Sequence, residues 1–130
     1  MIDAAASFQA DARNSGNSKR PIVVFVTQRG CHFCEQLRQQ VLQPMIKGDR
    51  LSDRVILREV SLDQGIEFYD FEGSLVTGRE FAGRYDAAIT PTLLFLDARG
   101  REAGKRIVGI SNIEYYGFYL DKAIAAAQRR

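Results

Sequence analysis

The spacing of the apolar residues changes abruptly at residue 31. The run Ile22–Thr27 is almost continuously apolar and rich in β-branched residues, which is typical of a strand at the centre of a sheet covered by helices. From Cys31 onwards the apolar residues lie four apart, as on one face of a helix: Phe33, Leu37 and Val41. The pattern therefore predicts a buried strand that leads, through Gly30, directly into a helix.

A proline limits that helix, and further elements follow it. Pro44 has no backbone N–H and its ring clashes with the preceding turn, so the helix is expected to kink or stop there. Residues 63–74 have no clean period and are interpreted as an irregular or short helical insertion. The other predicted elements are strands at 55–62, 92–96 and 106–110, of which the last two form a hairpin, and helices at 78–86 and from 113 onwards.

Two pairs with capping-box spacing mark the starts of the last two helices. Thr77 and Glu80 are three residues apart, so each side chain is placed to satisfy a free backbone N–H at a helix start. Ser111 and Glu114 have the same spacing. The final helix then carries an apolar stripe on one face, formed by Ile113, Tyr116, Leu120, Ile124 and Ala127.

The chain is predicted to form one α/β domain with an N-terminal helical arm. Its 130 residues are close to the commonest domain size. Residues 2–13 have a weak amphipathic pattern and residues 14–18 are a polar linker, so residues 1–19 are assigned to the arm and linker and residues 20–130 to the domain. A parallel βαβ unit followed by an antiparallel hairpin predicts a central mixed β-sheet flanked by helices.

Composition and charge disfavour two classes of function. The formal net charge is +2 at pH 7 and the basic residues are dispersed, so no nucleic acid partner is expected. The longest apolar run has six residues, whereas a membrane span needs about 20. No basic and apolar leader precedes the domain, so a cytoplasmic protein and a secreted protein whose signal has been removed both fit the sequence.

Cys31 and Cys34 are the two cysteines of the chain. An isolated close pair is typical of redox or metal chemistry rather than of a scaffold held by disulfides. A closed zinc site needs four ligands, and two cysteines with the single histidine, His32, reach four only in a dimer, so no metal site is assigned. Covalent haem attachment requires histidine directly after the second cysteine, where Glu35 stands.

The predicted helix start gives the two thiols different roles. Free backbone N–H groups and the positive end of the helix dipole favour the thiolate of Cys31, which is predicted to be the nucleophile. Cys34 lies one turn later and is placed to attack a mixed disulfide at Cys31 and release the substrate. The alternative is a non-catalytic module that presents Phe33 and the Thr90 loop to a partner, or that binds metal through the two cysteines.

Thr90 and Pro91 directly precede a predicted core strand, about 60 residues after the cysteine pair. Together with the strand, the C-x-x-C motif and the proline-containing helix, they resemble the thioredoxin superfamily over residues 20–128. The resemblance implies a thioredoxin fold and a thiol–disulfide oxidoreductase that acts on protein disulfides, more often as a reductant, with no cofactor besides its own disulfide. It also implies that Pro91 follows a cis peptide bond and that Thr90 contacts the substrate.

Within the superfamily, the sequence is most similar to thioredoxin-related proteins of the bacterial periplasm, such as SoxW-like reductases. The long loop after the second strand and the helix continuing as Glu35-Gln36-Leu37-Arg38 carry this similarity. It implies a periplasmic location, with the cytoplasm as the alternative, and a membrane thiol transporter as the electron donor. We expect a monomer.

Several positions depart from thioredoxin itself. Phe25 stands where thioredoxin has a buried aspartate, six residues before the nucleophile, so proton transfer to the resolving thiol is assigned to water or another group, with Glu35 as the nearest candidate in sequence. His32 and Phe33 replace the Gly-Pro pair between the cysteines. A protonated His32 would stabilise the adjacent thiolate and make the disulfide more oxidising, and Phe33 offers apolar surface for docking substrates.

Overall fold

The computed structural model describes residues 2–129. The strands are β1 (Ile22–Thr27), β2 (Ile56–Ser61), β3 (Glu67–Tyr69), β4 (Leu75–Thr77), β5 (Thr92–Leu96) and β6 (Ile107–Val108). A four-stranded sheet in the order β2-β1-β5-β6 forms the centre, and β3 and β4 form a separate two-stranded sheet. The helices are α1 (Phe8–Ser18), α2 (His32–Leu37), α3 (Gln43–Lys47), α4 (Gly78–Gly83) and α5 (Ile113–Gln128).

Strand β1 lies in the middle of the sheet and is buried along its whole length. It pairs in parallel with β2 and antiparallel with β5, and its alternate side chains enter two separate cores. Phe25 packs in the core that contains Leu120 of α5, and Val24 packs in the core that contains Phe8 of α1 and Phe81 of α4. This confirms the predicted mixed sheet with helices on both faces.

The helix after Cys31 continues past Pro44. A π-helical turn, Arg38–Leu42, joins α2 to α3, and the N–H of Gln43 donates to the carbonyl of Arg38, five residues back. Pro44 therefore occupies the first turn of α3, where a missing N–H costs little. The helix therefore does not stop at Pro44, so that one of the two predicted outcomes is wrong.

The prediction of an irregular or short helical insertion at residues 63–74 is wrong. This segment contains β3, which pairs antiparallel with β4. The turn between the two strands is held by buried Asp70, whose carboxylate accepts the backbone N–H groups of Glu72 and Ser74 at 2.9 and 2.8 Å. Arg84 of the neighbouring helical segment donates to the same carboxylate at 2.9 Å. The bond between Asp70 and Arg84 joins residues that the local spacing of apolar residues does not relate, so that spacing did not predict the hairpin.

The N-terminal segment also differs from the prediction. Residues 2–7 do not belong to a helix; Ala4 forms an isolated bridge to Glu59 at the outer edge of β2. Helix α1 begins after Ser7, whose hydroxyl accepts the N–H of Ala10, and extends through the predicted linker 14–18. Ser15 is buried there, and its hydroxyl donates to the carbonyl of Arg20 at 2.6 Å. Ser15 is thus paired inside the fold, whereas Asn14, Asn17 and Ser18 of the same run are exposed.

The two predicted capping boxes have opposite outcomes. Thr77 and Glu80 form both reciprocal bonds at the start of α4, as predicted. At the start of α5 the cap is Asn112, which accepts the N–H of Glu114 at 3.0 Å, so the box predicted from Ser111 is wrong. Among residues 2–129 there is no helix long and apolar enough to cross a membrane.

Candidate active site

Cys31 and Cys34 are joined by a disulfide at the start of α2. Gly30, with φ of +69°, turns the chain out of the segment that follows β1, and Cys31 is the N-cap residue of the helix. The Sγ atom of Cys31 accepts the backbone N–H of Cys34 at 3.1 Å. Cys34 is fully buried whereas Cys31 is partly exposed, so only the first sulfur is open to a protein substrate.

This geometry distinguishes the two sulfurs once the disulfide is reduced. The same Cys34 N–H that points at the Cys31 sulfur would donate to its thiolate, and the start of the helix adds a positive potential. Cys34 lies in the core that contains Phe25, and its sulfur is not exposed to solvent. The arrangement therefore supports nucleophilic attack by Cys31 and resolution by Cys34.

The loop before β5 lies against the exposed sulfur. The Thr90–Pro91 peptide bond is cis, and the hydroxyl of Thr90 lies 3.5 Å from the Sγ atom of Cys31. The loop is fixed on both sides, because Thr92 donates its hydroxyl to the carbonyl of Ile89 at 2.6 Å and Gly109 donates its N–H to the carbonyl of Pro91 at 2.8 Å. Two segments far apart in sequence thus meet at Cys31.

Apolar side chains border the disulfide. Phe33 is 54% exposed and Ile89 is 63% exposed, although large apolar side chains are more often inside. The ring of His32 lies edge-on to Phe33, with centroids 5.7 Å apart, and within residues 2–129 its nitrogens make no hydrogen bond. Ile89 carries no motif and was not predicted as a site residue; only its place directly before Thr90 connects it with the site.

Glu35 is not a sheltered acid. Its side chain is 56% exposed and pairs with Arg38, one turn further along the helix. The sheltered carboxylate near the disulfide belongs instead to Glu59, which accepts two bonds from Arg38 at 2.6 and 2.8 Å and one from the hydroxyl of Thr27 at 2.8 Å. Sequence reasoning missed Glu59 because this position on β2 is distant from the cysteine motif.

Glu59 is opposite Phe25 in the pairing of β2 with β1. Phe25 fills the position of thioredoxin's acid, and the guanidinium of Arg38 lies 5.2 Å from the centre of its ring. Burial alone would raise the pKa of the Glu59 carboxyl, but the bonds from Arg38 and Thr27 outweigh burial and lower that pKa. Glu59 and Arg38 also line a cavity of about 350 Å³ that reaches Cys31.

Glu59→Gln is expected to lower the free energy of unfolding at pH 7 by about 1–2 kcal/mol, since the bonds to Arg38 lose one charge and the pair is only partly buried. The folded pKa of Glu59 lies below its ordinary value, so its stabilising effect is present above the unfolded-state pKa of about 4.3 and is lost as the pH falls through the folded pKa. Urea unfolding should therefore show the difference between wild type and variant shrinking below about pH 4. Glu35→Gln, at an exposed carboxylate, is the control; a constant difference for Glu59→Gln down to acid pH would contradict this account.

Within residues 2–129, no group of three or more His, Cys, Asp and Glu side chains is arranged to hold a metal ion. The sulfurs of Cys31 and Cys34 are bonded to each other, so they are not in a ligating state here.

Comparisons with known proteins agree with this geometry. Residues 8–124 match the family model described as a thioredoxin-like domain. No curated protein matched the chain. Solved structures at low sequence identity share the fold, among them thioredoxin of Fasciola hepatica, with 19% identity over 95% of this chain and 97% of that chain and a TM-score of 0.61. Trxlp of Edwardsiella tarda has 13% identity over 92% of this chain and 98% of that chain, with a TM-score of 0.63. A DsbH oxidoreductase has 19% identity over 100% of this chain and 88% of that chain, with a TM-score of 0.59. With the family model covering most of its length, the chain belongs to the family of thioredoxin-like domains.

Proposed function

We propose that this protein is a thiol–disulfide oxidoreductase that exchanges its Cys31–Cys34 dithiol with disulfides of other proteins and acts as the reductant. The observation that carries the proposal is the asymmetry of the pair: an exposed sulfur at the helix start beside Thr90, and a buried sulfur one turn behind it. A scaffold disulfide would not need this asymmetry. The oxidoreductase and thioredoxin folds among the structural neighbours support the same class of reaction.

The reaction proceeds in two exchanges. The Cys31 thiolate attacks one sulfur of a substrate disulfide; the substrate S–S bond breaks, its other sulfur leaves as a thiolate and takes up a proton from solvent. Cys34 then loses its proton and attacks Cys31 in the mixed disulfide, which releases the second substrate thiol. The substrate has gained two electrons and two protons, and the Cys31–Cys34 disulfide has formed.

The surrounding residues position the substrate and set the ease of exchange. We propose that Thr90 and Pro91 hold the substrate backbone against Cys31, because their loop is fixed at hydrogen-bonding distance from its sulfur. His32, on the exposed side, would favour the thiolate when protonated. Glu35 would act on the sulfur pair only indirectly, through its ion pair with Arg38.

Turnover as a reductant requires a dithiol donor that returns two electrons to the disulfide. On the sequence resemblance to SoxW-like proteins we propose a membrane thiol transporter in that role and a periplasmic rather than cytoplasmic location, and we also propose that the protein is a monomer. Reduction of the purified protein by the thiol-carrying domain of such a transporter would test the donor directly. Reduction only by cytoplasmic thioredoxin reductase would contradict the periplasmic assignment.

Reduction of insulin disulfides by dithiothreitol tests the proposal. We expect the protein to accelerate the reaction, to expose two titratable thiols per chain after dithiothreitol, and to lose both after mild oxidation. Equilibration with glutathione buffers then gives the potential, and a value near −270 mV rather than −120 mV would fit the reducing direction. Cysteines that stay unreactive, or stoichiometric metal in the purified protein, would instead identify a binding module.

A further inference from the structure

Basic residues that are far apart in the sequence meet at a second cavity. The cavity has a volume of about 470 Å³ and lies where the end of α1, the start of β1, the turn after β5 and the end of α5 come together. Its charged lining residues are Lys19, Arg20, Asp97, Arg99 and Arg101. Four cations thus face one carboxylate, and we call this site the basic cavity.

The basic cavity lies at the opposite end of the sheet from Cys31. Strand β1 begins beside the cavity, directly after Pro21, and its other end leads to Cys31. Strand β5 runs antiparallel to β1, so Pro91 precedes it at the cysteine end and Asp97 follows it at the cavity end. Because a strand of six residues is about 20 Å long, an occupant of the basic cavity leaves Cys31 open to a substrate.

The carboxylate of the basic cavity is already engaged. One oxygen of Asp97 accepts the backbone N–H groups of Arg99 and Arg101 at 2.8 and 3.0 Å. The other oxygen lies 3.5 Å from the Nε atom of Arg101. Asp97 therefore balances the charge of Arg101, and within residues 2–129 the lining has no second carboxylate for the remaining three cations.

Those three cations, Lys19, Arg20 and Arg99, are not paired with any acid of the described chain. The side chains of Lys19 and Arg99 are on exposed residues and form no hydrogen bond or ion pair within residues 2–129. Arg20 donates to uncharged oxygens, which belong to Ser18, Asn14 and the backbone of Ser52 at 3.1, 3.3 and 2.7 Å. These bonds fix the guanidinium of Arg20 but leave its charge unbalanced.

The helix ends at the basic cavity offset only part of this charge. Helices α1 and α5 both end there, and a helix C-terminus carries a partial charge of about −0.5. The two ends together offset about one of the three unbalanced cations. The basic cavity therefore keeps an excess of positive charge, and its concave shape concentrates the resulting potential.

A phosphate oxyanion with two or more negative charges matches this excess. Guanidinium groups bind phosphate through paired hydrogen bonds, and lysine binds it as a point charge. Within residues 2–129 no large exposed apolar side chain lines the basic cavity, whose apolar walls are Pro21, Ala98 and Ala127. Proteins that bind a bilayer surface usually insert large apolar side chains into it. A soluble phosphate compound therefore fits the cavity better than a lipid surface does.

We propose that the basic cavity binds the phosphate or diphosphate group of a soluble small molecule, with Lys19, Arg20 and Arg99 as its cationic ligands. Binding costs Lys19 and Arg99 no existing bond, because neither side chain has a partner in the described chain. This site is independent of the proposed redox function. It gives the protein a ligand that stays bound while Cys31 exchanges disulfides at the other end of the sheet.

Titration of the oxidised protein with sodium pyrophosphate at constant ionic strength, followed by ¹H–¹⁵N NMR, tests the inference. We expect saturable shifts of the backbone amides of Lys19, Ala98 and Arg99, with the amide of Cys31 unchanged. Lys19→Gln and Arg99→Gln should each weaken binding about fivefold, at the upper end for an exposed charge pair. The double variant should bind more weakly than either single variant.

Matched controls remove the same charge elsewhere on the surface. Lys47 and Arg79 are exposed and do not line the basic cavity, so Lys47→Gln and Arg79→Gln should bind pyrophosphate as wild type does. Lys19→Gln and Arg99→Gln break no bond of the described chain, so their melting temperatures should equal that of wild type. A loss of binding cannot then be ascribed to unfolding.

Three results would overturn the inference: no saturable shift in wild type, shifts that lie away from the basic cavity, or equal weakening by the cavity variants and their controls. Sedimentation with phosphatidylglycerol vesicles but not with phosphatidylcholine vesicles, without any binding of pyrophosphate, would assign the cavity to a lipid surface and also overturn it. Cys31→Ser, which lacks the proposed nucleophile, should bind pyrophosphate as tightly as wild type. Loss of turnover and loss of binding are therefore scored separately.

Discussion

Cys31→Ser is expected to abolish the acceleration of insulin reduction, so that the rate falls to that of the chemical reductant alone. A serine hydroxyl is scarcely ionised at neutral pH, whereas a thiol near a helix start is partly a thiolate and intrinsically far more nucleophilic. The change replaces sulfur by oxygen at a partly exposed cap position, and serine is itself a good N-cap, so the fold should remain intact. Circular dichroism provides the check on folding.

Cys34→Ser should give a different defect from the same pair. Attack by Cys31 remains, but no buried thiol follows to break the mixed disulfide, so a covalent complex with substrate accumulates. The complex is measured on a non-reducing gel and disappears on addition of dithiothreitol. If Cys34→Ser turned over at the wild-type rate, or if Cys31→Ser formed the complex instead, the assigned roles of the two sulfurs would be wrong.

The elements around the cysteines were predictable because the information that determines them is local. Ile22–Thr27 is an almost continuous apolar run, and the apolar residues after Cys31 lie four apart. The strand, the helix and the turn between them therefore follow from a window of about 20 residues. The Thr77 capping box is local for the same reason. Thr90 was found through resemblance, since nothing local relates it to a sulfur 59 residues earlier.

Features that depend on pairing between distant segments were not predictable in this way. Glu59 is a single acid in a strand of mixed character, and its importance comes from Arg38 and Thr27, which reach it from other elements. The β3–β4 hairpin is short, and its turn depends on the Asp70–Arg84 ion pair. The buried hydroxyl of Tyr116, which has no partner among residues 2–129, is also invisible in a sequence, where this tyrosine fits the apolar stripe of α5.

The substitution of Phe25 for thioredoxin's acid alters the polar surroundings of the sulfur pair. Phe25 packs in the same core as buried Cys34, while Glu59, a carboxylate that lines the cavity at Cys31, is held ionised by Arg38. A carboxylate held in this way is a poor proton acceptor, so we expect water rather than Glu59 to take up the proton of Cys34. This arrangement favours a pH dependence of turnover set by the thiols rather than by a carboxyl group.

Gly78→Ala is expected to destabilise the protein by about 3 kcal/mol, near the upper end for overpacking a close contact. Gly78 is the first residue of α4 and is buried against the end of β2, where an added Cβ would overlap the carbonyl oxygen of Ser61. That atom belongs to the backbone and cannot move as a side chain would. The melting temperature should fall by about 10 °C.

Displacing Ser61 would also disturb the site. Ser61 pairs with Thr27, and its hydroxyl donates to the carboxylate of Asp63. The same carboxylate accepts the N–H of Arg29, just before the cysteine motif.

Gly83→Ala is the matched control in the same helix. Nothing lies within 4 Å of its added Cβ, so alanine should be neutral or stabilise the protein by up to about 1 kcal/mol. If both variants melted at the wild-type temperature, α4 would not pack on Ser61 as described. If both fell equally, the loss would arise from helix propensity or chain flexibility and not from the contact between α4 and β2.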